Sequence, residues 1–332
     1  MKRFLTLCLC FVIISAPVCA QTTFMDLWCE YGGKGCDPHA PKQQSPVQKV
    51  APTPSPVSKP IVQQPKVQTT PLIKRNAAMA KSKGMAFGRY YALVIGNNAY
   101  PHLDNLKTAV ADAQGVADVL RKSYGFSVTL LKDVTRDQII TTLDEYRKIL
   151  KPEDNFLIYY AGHGWLDKES ERGYWLPVDA DKNTRARWVS NADITDTLKA
   201  LKAKHVMVVA DSCYGGTLTR DGQVDLNGTR GLKLVEKTSG YLETLNSKKS
   251  RTVLSSGALE PVSDQGGGKH SVFAYAFLKS LQENTSLLDG TQLFGEVRKQ
   301  VVLNARQTPQ YSNIRFAGHD VGGDFIFLRR DQ

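Results

Sequence analysis

From Tyr90 onward, short apolar runs alternate with longer stretches in which apolar residues recur every three or four positions. The short runs read as buried strands, the longer stretches as helices with one face turned to a core. Tyr91 to Ile95 is the first strand, ended by Gly96. Leu106, Val110, Ala113, Val116, Ala117 and Leu120 then line one face of a helix over 104–122. Ser127 to Leu131 predicts a strand. Thr135 to Leu150 predicts a helix, with Thr135 as N-cap and Pro152 just past its end. Further strands fall at Phe156 to Tyr160, His205 to Ala210, Thr252 to Ser255 and Phe325 to Leu328. Further helices fall at Ala192 to Lys202, Val272 to Leu281 and Leu293 to Leu303. This rhythm predicts an α/β fold, a mostly parallel sheet with helices on both faces. In such folds the chemistry gathers at the carboxyl ends of the strands.

The chain ahead of this rhythm has a different composition. In residues 1–20, Lys2 and Arg3 precede the apolar run Phe4 to Ile14, and Val18-Cys19-Ala20 offers small residues for cleavage after Ala20. This is the pattern of a secretory signal, with an uncleaved anchor as the alternative. It predicts a periplasmic or secreted protein without a membrane span. Cleavage would leave Cys29, Cys36 and Cys213. In an oxidising compartment Cys29 and Cys36 are expected to pair, closing a small loop within segment 21–40. Cys213 is then the odd thiol, either reactive or simply buried. Residues 41–83 hold eight of the fifteen prolines, eight basic residues, and no acidic or aromatic residue. Such a segment reads as an extended linker, a solvated spacer or a contact for anionic envelope polymers.

Charge placement decides one question of partners. The formal net charge is +11, which invites a nucleic-acid reading. Eight of those charges sit in the linker and two in the leader. The folded part, from residue 84 on, holds 32 bases against 29 acids and is only +3, so no nucleic-acid partner is expected.

Two strand ends carry candidate chemistry. Phe156 to Ala161 runs into Gly162-His163-Gly164, and His205 to Ala210 runs into Asp211-Ser212-Cys213 followed by Tyr214-Gly215-Gly216. A parallel crossover would bring both ends to one sheet edge. A thiolate is a strong nucleophile that needs a neighbouring base or cation. His163 could take the Cys213 proton and return one to a leaving amine. Backbone N–H groups at Gly164 and Cys213 could bind the developing oxyanion, a contribution worth about 3 kcal/mol.

These residues resemble the caspase-like cysteine peptidases, especially the metacaspase, paracaspase and bacterial caspase-domain branch (peptidase family C14). The likeness covers about residues 88–330. It rests on Tyr91-Ala-Leu-Val-Ile-Gly-Asn97, Ala111-Asp112-Ala113, Tyr160-Ala-Gly-His-Gly164, Tyr174-Trp-Leu-Pro-Val-Asp179, Asp211-Ser-Cys213 and Gly322-Gly-Asp-Phe-Ile-Phe327. The spacing of 50 residues between His163 and Cys213 is itself a family signature. The resemblance implies a three-layer α/β/α sandwich around a sheet of about six strands. It makes Cys213 the nucleophile and His163 its partner, acting through a thioester acyl-enzyme. It places Asp112 and Asp211 in the pocket for the residue before the cut bond, with Glu260 as a further candidate. Carboxylates there would pair with a substrate Arg or Lys.

No cofactor is implied. Some relatives are calcium-dependent, but Ser190-Asn191-Ala192-Asp193 does not continue their acid cluster. No metal site is assigned. Residues 217–251 read as a basic connection containing Arg220, Arg230, Lys248, Lys249 and Arg251, and with a basic preference both this connection and the 41–83 linker become self-cleavage candidates. Protein or peptide substrates are the expected partners. The rival readings are a catalytically silent scaffold and an envelope-binding protein working through its linker. His319 follows polar residues, so no buried strand is expected to aim it. His102, His205 and His270 read as structural or exposed.

Overall fold

The computed structural model describes residues 86–212, 239–257, 268–285 and 287–330, all within the unit Pro65–Gln332. The leader, segment 21–40, the linker, Cys29, Cys36, Cys213 and Glu260 lie outside the described residues.

A six-stranded sheet runs in the order β10-β8-β7-β3-β1-β2. Its strands are β1 (Tyr90–Gly96), β2 (Ser127–Lys132), β3 (Asn155–Ala161), β7 (His205–Asp211), β8 (Ser250–Ser255) and β10 (Gln310–Asn313). All pairings are parallel except β10 on β8. Side chains alternate across such strands, so each strand feeds two cores. On one face, Val94, Leu157, Tyr159 and Val209 pack under α1 (Ala109–Tyr124), α5 (Val272–Glu283) and α6 (Gly290–Asn304). On the other, Leu93, Ile95, Ile158 and Val208 pack under α2 (Arg136–Ile149) and α3 (Asn191–Ala200). Burial of each such side chain contributes about 1.5–3 kcal/mol. The expected α/β/α layering is therefore present.

Local sequence fixes where helices begin. Thr135 and Gln138 form a capping box at α2, Ser190 and Asp193 at α3, Asp289 and Gln292 at α6. Each satisfies two backbone donors that the first turn leaves unpaired. Helix α1 starts at Ala109 rather than 104, because Asn98 holds the preceding segment. Its side-chain oxygen accepts from Val110 N, its amide nitrogen donates to Lys107 O, and its carbonyl accepts from Leu106 N.

Several expectations need correction. The last strand, β11 (Ile326–Leu328), pairs antiparallel with β9 (Leu287–Asp289) in a separate sheet. The polar stretch 310–313 is itself a strand, with Tyr311 and Ser312 buried, so a partly buried strand does precede His319. His319 then turns back, and its Nδ1 accepts from the backbone N–H of Arg251. Three short antiparallel strands, β4 (Gly164–Asp167), β5 (Arg172–Trp175) and β6 (Val189–Ser190), form a sheet of their own. Residues 217–251 are not all connection, since α4 (Ser239–Ser247) and the start of β8 lie within that span. Arg251 is a β8 residue, 1% exposed, and is not an accessible cleavage site. No helix among the described residues is long and apolar enough to cross a membrane.

Candidate active site

Strands β3 and β7 are neighbours in register, Ala161 opposite Asp211. The chain leaving β3 passes through Gly162 to His163, and Gly162 N donates to Asp211 O. Side-chain hydroxyls hold the His163 backbone. Its N–H donates to the Tyr100 hydroxyl, and the Tyr160 hydroxyl donates to its carbonyl at 2.9 Å. Gly162 makes room for this arrangement. A Cβ there would lie 2.7 Å from the Tyr160 oxygen and 2.8 Å from the Tyr100 oxygen.

The His163 ring packs at 4.7 Å from the Tyr100 ring, with Nε2 2.7 Å from the carbonyl of Asp104. A carbonyl only accepts, so Nε2 carries the proton in this geometry. Nδ1 is left with a lone pair for a proton. Leu176 N donates to His163 O, and the next residue, Gly164, opens β4 opposite Trp175 of β5.

Asp112 and Asp211 come from distant elements, the first turn of α1 and the end of β7, and meet at Ser271. The Ser271 hydroxyl donates to Asp211 Oδ2 at 2.6 Å, and its N–H points at both Asp112 oxygens at 3.3 and 3.4 Å. Ser271 is also the N-cap of α5, accepting from Ala274 N. His270 Nδ1 donates to Asp112 Oδ1 at 2.7 Å. The two aspartates are 1% and 6% exposed, so Asp112 is no solvated helix acid. Burial, with the charges of Asp211 and Asp112, holds the Tyr159 phenol well above its usual range, so it stays neutral beneath them. Of the residues expected at the site, the structure gathers Asp112 with Asp211 and sets His163 on the adjoining strand end.

Four contributors escaped the sequence reading. Ser271 had a signal, a serine directly before the apolar run of α5. His270 and Tyr100 had none, because their roles depend on contacts between remote segments, whereas Tyr160 stood in the motif three residues before His163. The acids near α3 serve the frame. Asp193 caps that helix, and Asp179 accepts from Arg136 N. Among the described residues, no group of three or more His, Cys, Asp or Glu is placed to hold a metal ion.

Parts of the chain are similar in sequence to known proteins. The chain is 25% identical to Metacaspase-1 of Meyerozyma guilliermondii over 175 residues, which is 46% of this chain and 41% of that protein. It is 33% identical over 95 residues to the mouse homolog of mucosa-associated lymphoid tissue lymphoma translocation protein 1, covering 29% of this chain and 11% of that one. It is 24% identical to Metacaspase-1B of Aspergillus fumigatus over 309 residues, 73% of this chain and 72% of the relative. The match thus spans under half the length of the first two. A caspase-domain profile, Peptidase_C14, fits residues 89–317, which include β3, β7, His163, Asp112 and Asp211. A parallel sheet that brings the His163 strand beside the Asp211 strand, together with that fit over most of the chain, makes this protein a member of the Peptidase_C14 caspase-domain family.

Proposed function

We propose that the chain is a cysteine endopeptidase that cuts after Arg or Lys. One observation carries the specificity. Two buried carboxylates converge on Ser271, one of them two residues ahead of Cys213. A guanidinium or ammonium from substrate would find complementary charge there, and a substrate Asp would meet repulsion. Membership in a peptidase family supports protein substrates.

In the proposed reaction, His163 Nδ1 takes the Cys213 proton and the thiolate attacks the carbonyl carbon. The Gly164 and Cys213 N–H groups face the oxyanion. His163 returns the proton to the leaving amine as the C–N bond breaks, leaving a thioester. Water, deprotonated by His163, then releases the acid and restores the thiol. Hydroxyl bonds from Tyr100 and Tyr160 to the backbone keep the ring aimed through both halves.

The test is turnover of fluorogenic peptides ending in Arg, Lys or Asp, by wild type and Cys213→Ala, with and without calcium. Activity confined to basic residues and lost in the variant supports the proposal. Turnover only at Asp would refute the roles given to Asp112 and Asp211. No turnover under any condition favours the scaffold reading.

A further inference from the structure

Beside the paired carboxylates lies a cleft of about 360 Å³ on the outer side of α1. Three lysines from separate elements line it: Lys107 ahead of α1, Lys132 at the end of β2, and Lys269 ahead of α5. The single carboxylate in its lining is Asp118, which already accepts from Gln114 and pairs with Arg121 at 3.8 Å. Asp133, next to Lys132 in sequence, is engaged by the N–H groups of Asn98 and Ala99. Neither Lys132 nor Lys269 forms an ion pair with a carboxylate among the described residues. The ammonium groups of Lys132 and Lys269 on one small cavity repel one another, and a bound anion relieves that repulsion.

His270 also lines the cleft. Gly115 lets its ring lie close to α1, since a Cβ there would sit 3.2 Å from His270 Cε1 and 3.1 Å from Leu278 Cδ1. The ring thus has one edge on the cleft and its Nδ1 on Asp112. Burial and the Lys269 charge hold it below the usual imidazole range, so it is neutral at pH 7.

We propose that this cleft binds a phosphate-bearing anion, and that His270 relays its presence to Asp112. A phosphate group between the lysines cancels the Lys269 charge and accepts a hydrogen bond from Nε2 of a protonated ring. The imidazolium then pairs with Asp112, and less negative charge remains for a basic substrate residue. The site stands on its own geometry. Its effect on substrate rests on the role proposed above for Asp112.

The probe is inorganic pyrophosphate, titrated by calorimetry into the full chain at low and high salt. Saturable binding that weakens with salt, and weakens at least about tenfold in Lys132→Ala/Lys269→Ala, supports the site. Absence of saturable binding, or equal affinity in the double variant, overturns it. A pyrophosphate-dependent rise in KM for an Arg amide, abolished in the double variant, supports the relay. Binding with unchanged KM overturns the relay alone. Binding without any peptide turnover would count against the peptidase reading and leave the site standing. Phosphatidylglycerol vesicles distinguish the source. Retention that needs Lys132 and Lys269 and is displaced by pyrophosphate assigns the phosphate to a lipid headgroup. Retention indifferent to those lysines excludes lipid as the occupant.

Discussion

Arg251 should be among the most costly residues to replace, although it touches no substrate. All five of its N–H donors are used, on the carbonyls of Leu198, Leu201, Ala203, Lys204 and Ser250 at 2.8–3.2 Å. Two of these belong to the C-terminal end of α3, where carbonyls lack partners and the helix dipole favours a cation. Burial pushes the guanidinium down to about 10, still charged at neutral pH. Arg251→Met removes the charge and strands carbonyls in a dry interior. The Leu198 and Lys204 oxygens keep bonds from Leu201 N and Ser250 N. The Ser250 oxygen keeps the ladder bond that the parallel register gives it from Val206 N. The remaining two, on Leu201 and Ala203, carry most of the cost, at about 1–3 kcal/mol per unsatisfied buried group. Relief from desolvating a cation offsets part of this, leaving about 2–4 kcal/mol. For a domain of this size that lowers Tm by roughly 10 °C. Arg251→Lys keeps the charge but has three donors and no planar fork, so it should fall between. Urea and thermal unfolding of the full chain would measure both. A Met variant as stable as wild type would refute the dependence of these carbonyls on the guanidinium. A Lys variant equal to wild type would refute the need for fork geometry.

Other outcomes follow from the same structure. Asp112→Asn and Asp211→Asn should each raise KM for an Arg substrate by about ten- to a hundredfold, the worth of one charge-assisted hydrogen bond, with thermal stability as the control. Gly162→Ala should lower kcat by more than its loss of stability explains, because the new methyl displaces the two hydroxyls that hold His163. His205, between Asn155 Oδ1 and Leu245 O, is pushed down to about 4 chiefly by burial. A base whose folded pKa is depressed stabilises the fold above its unfolded value near 6.5, and that stability is lost as pH falls toward 4. Urea unfolding should show ~3 kcal/mol lost over that window, and a flat profile would contradict a neutral buried ring. If the chain processes itself, mass spectrometry should find cuts after Arg220 or Arg230 but none after Arg251, and Cys213→Ala should stay whole.

Strands buried on both sides were legible because their central residues must be apolar, with polar residues only at the ends. β3 and β7 show this, every residue of both being buried. Helix starts were legible where the cap is local, as at Thr135. The edge strand β10 was not, because its pairing with β8 tolerates Gln310, Ser312 and Asn313. Strands β4 to β6 were too short to show a period. Arg251 read as a surface base because nothing in its neighbours announces five carbonyls gathered from α3 and the approach to β7. His163 and Asp211 stood out through the glycines and the strands that deliver them. The partnership of Asp112 with His270 spans 158 residues and exists only once α1 and α5 meet.

The order of the strands has a consequence for assembly. Everything through β7 precedes residue 213, and α4, β8, α5, β9, α6, β10 and β11 all follow 238. The two parts are joined by the β7–β8 ladder, from His205 opposite Ser250 to Ala210 opposite Ser255, and by a shared core in which Tyr159 packs on Phe277. A single cut between 213 and 238 would therefore leave every strand pairing among the described residues in place. It would turn one polypeptide into an obligate heterodimer whose interface is a domain core. Stability would then obey mass action, and the cut protein, unlike the intact chain, would lose its fold on dilution.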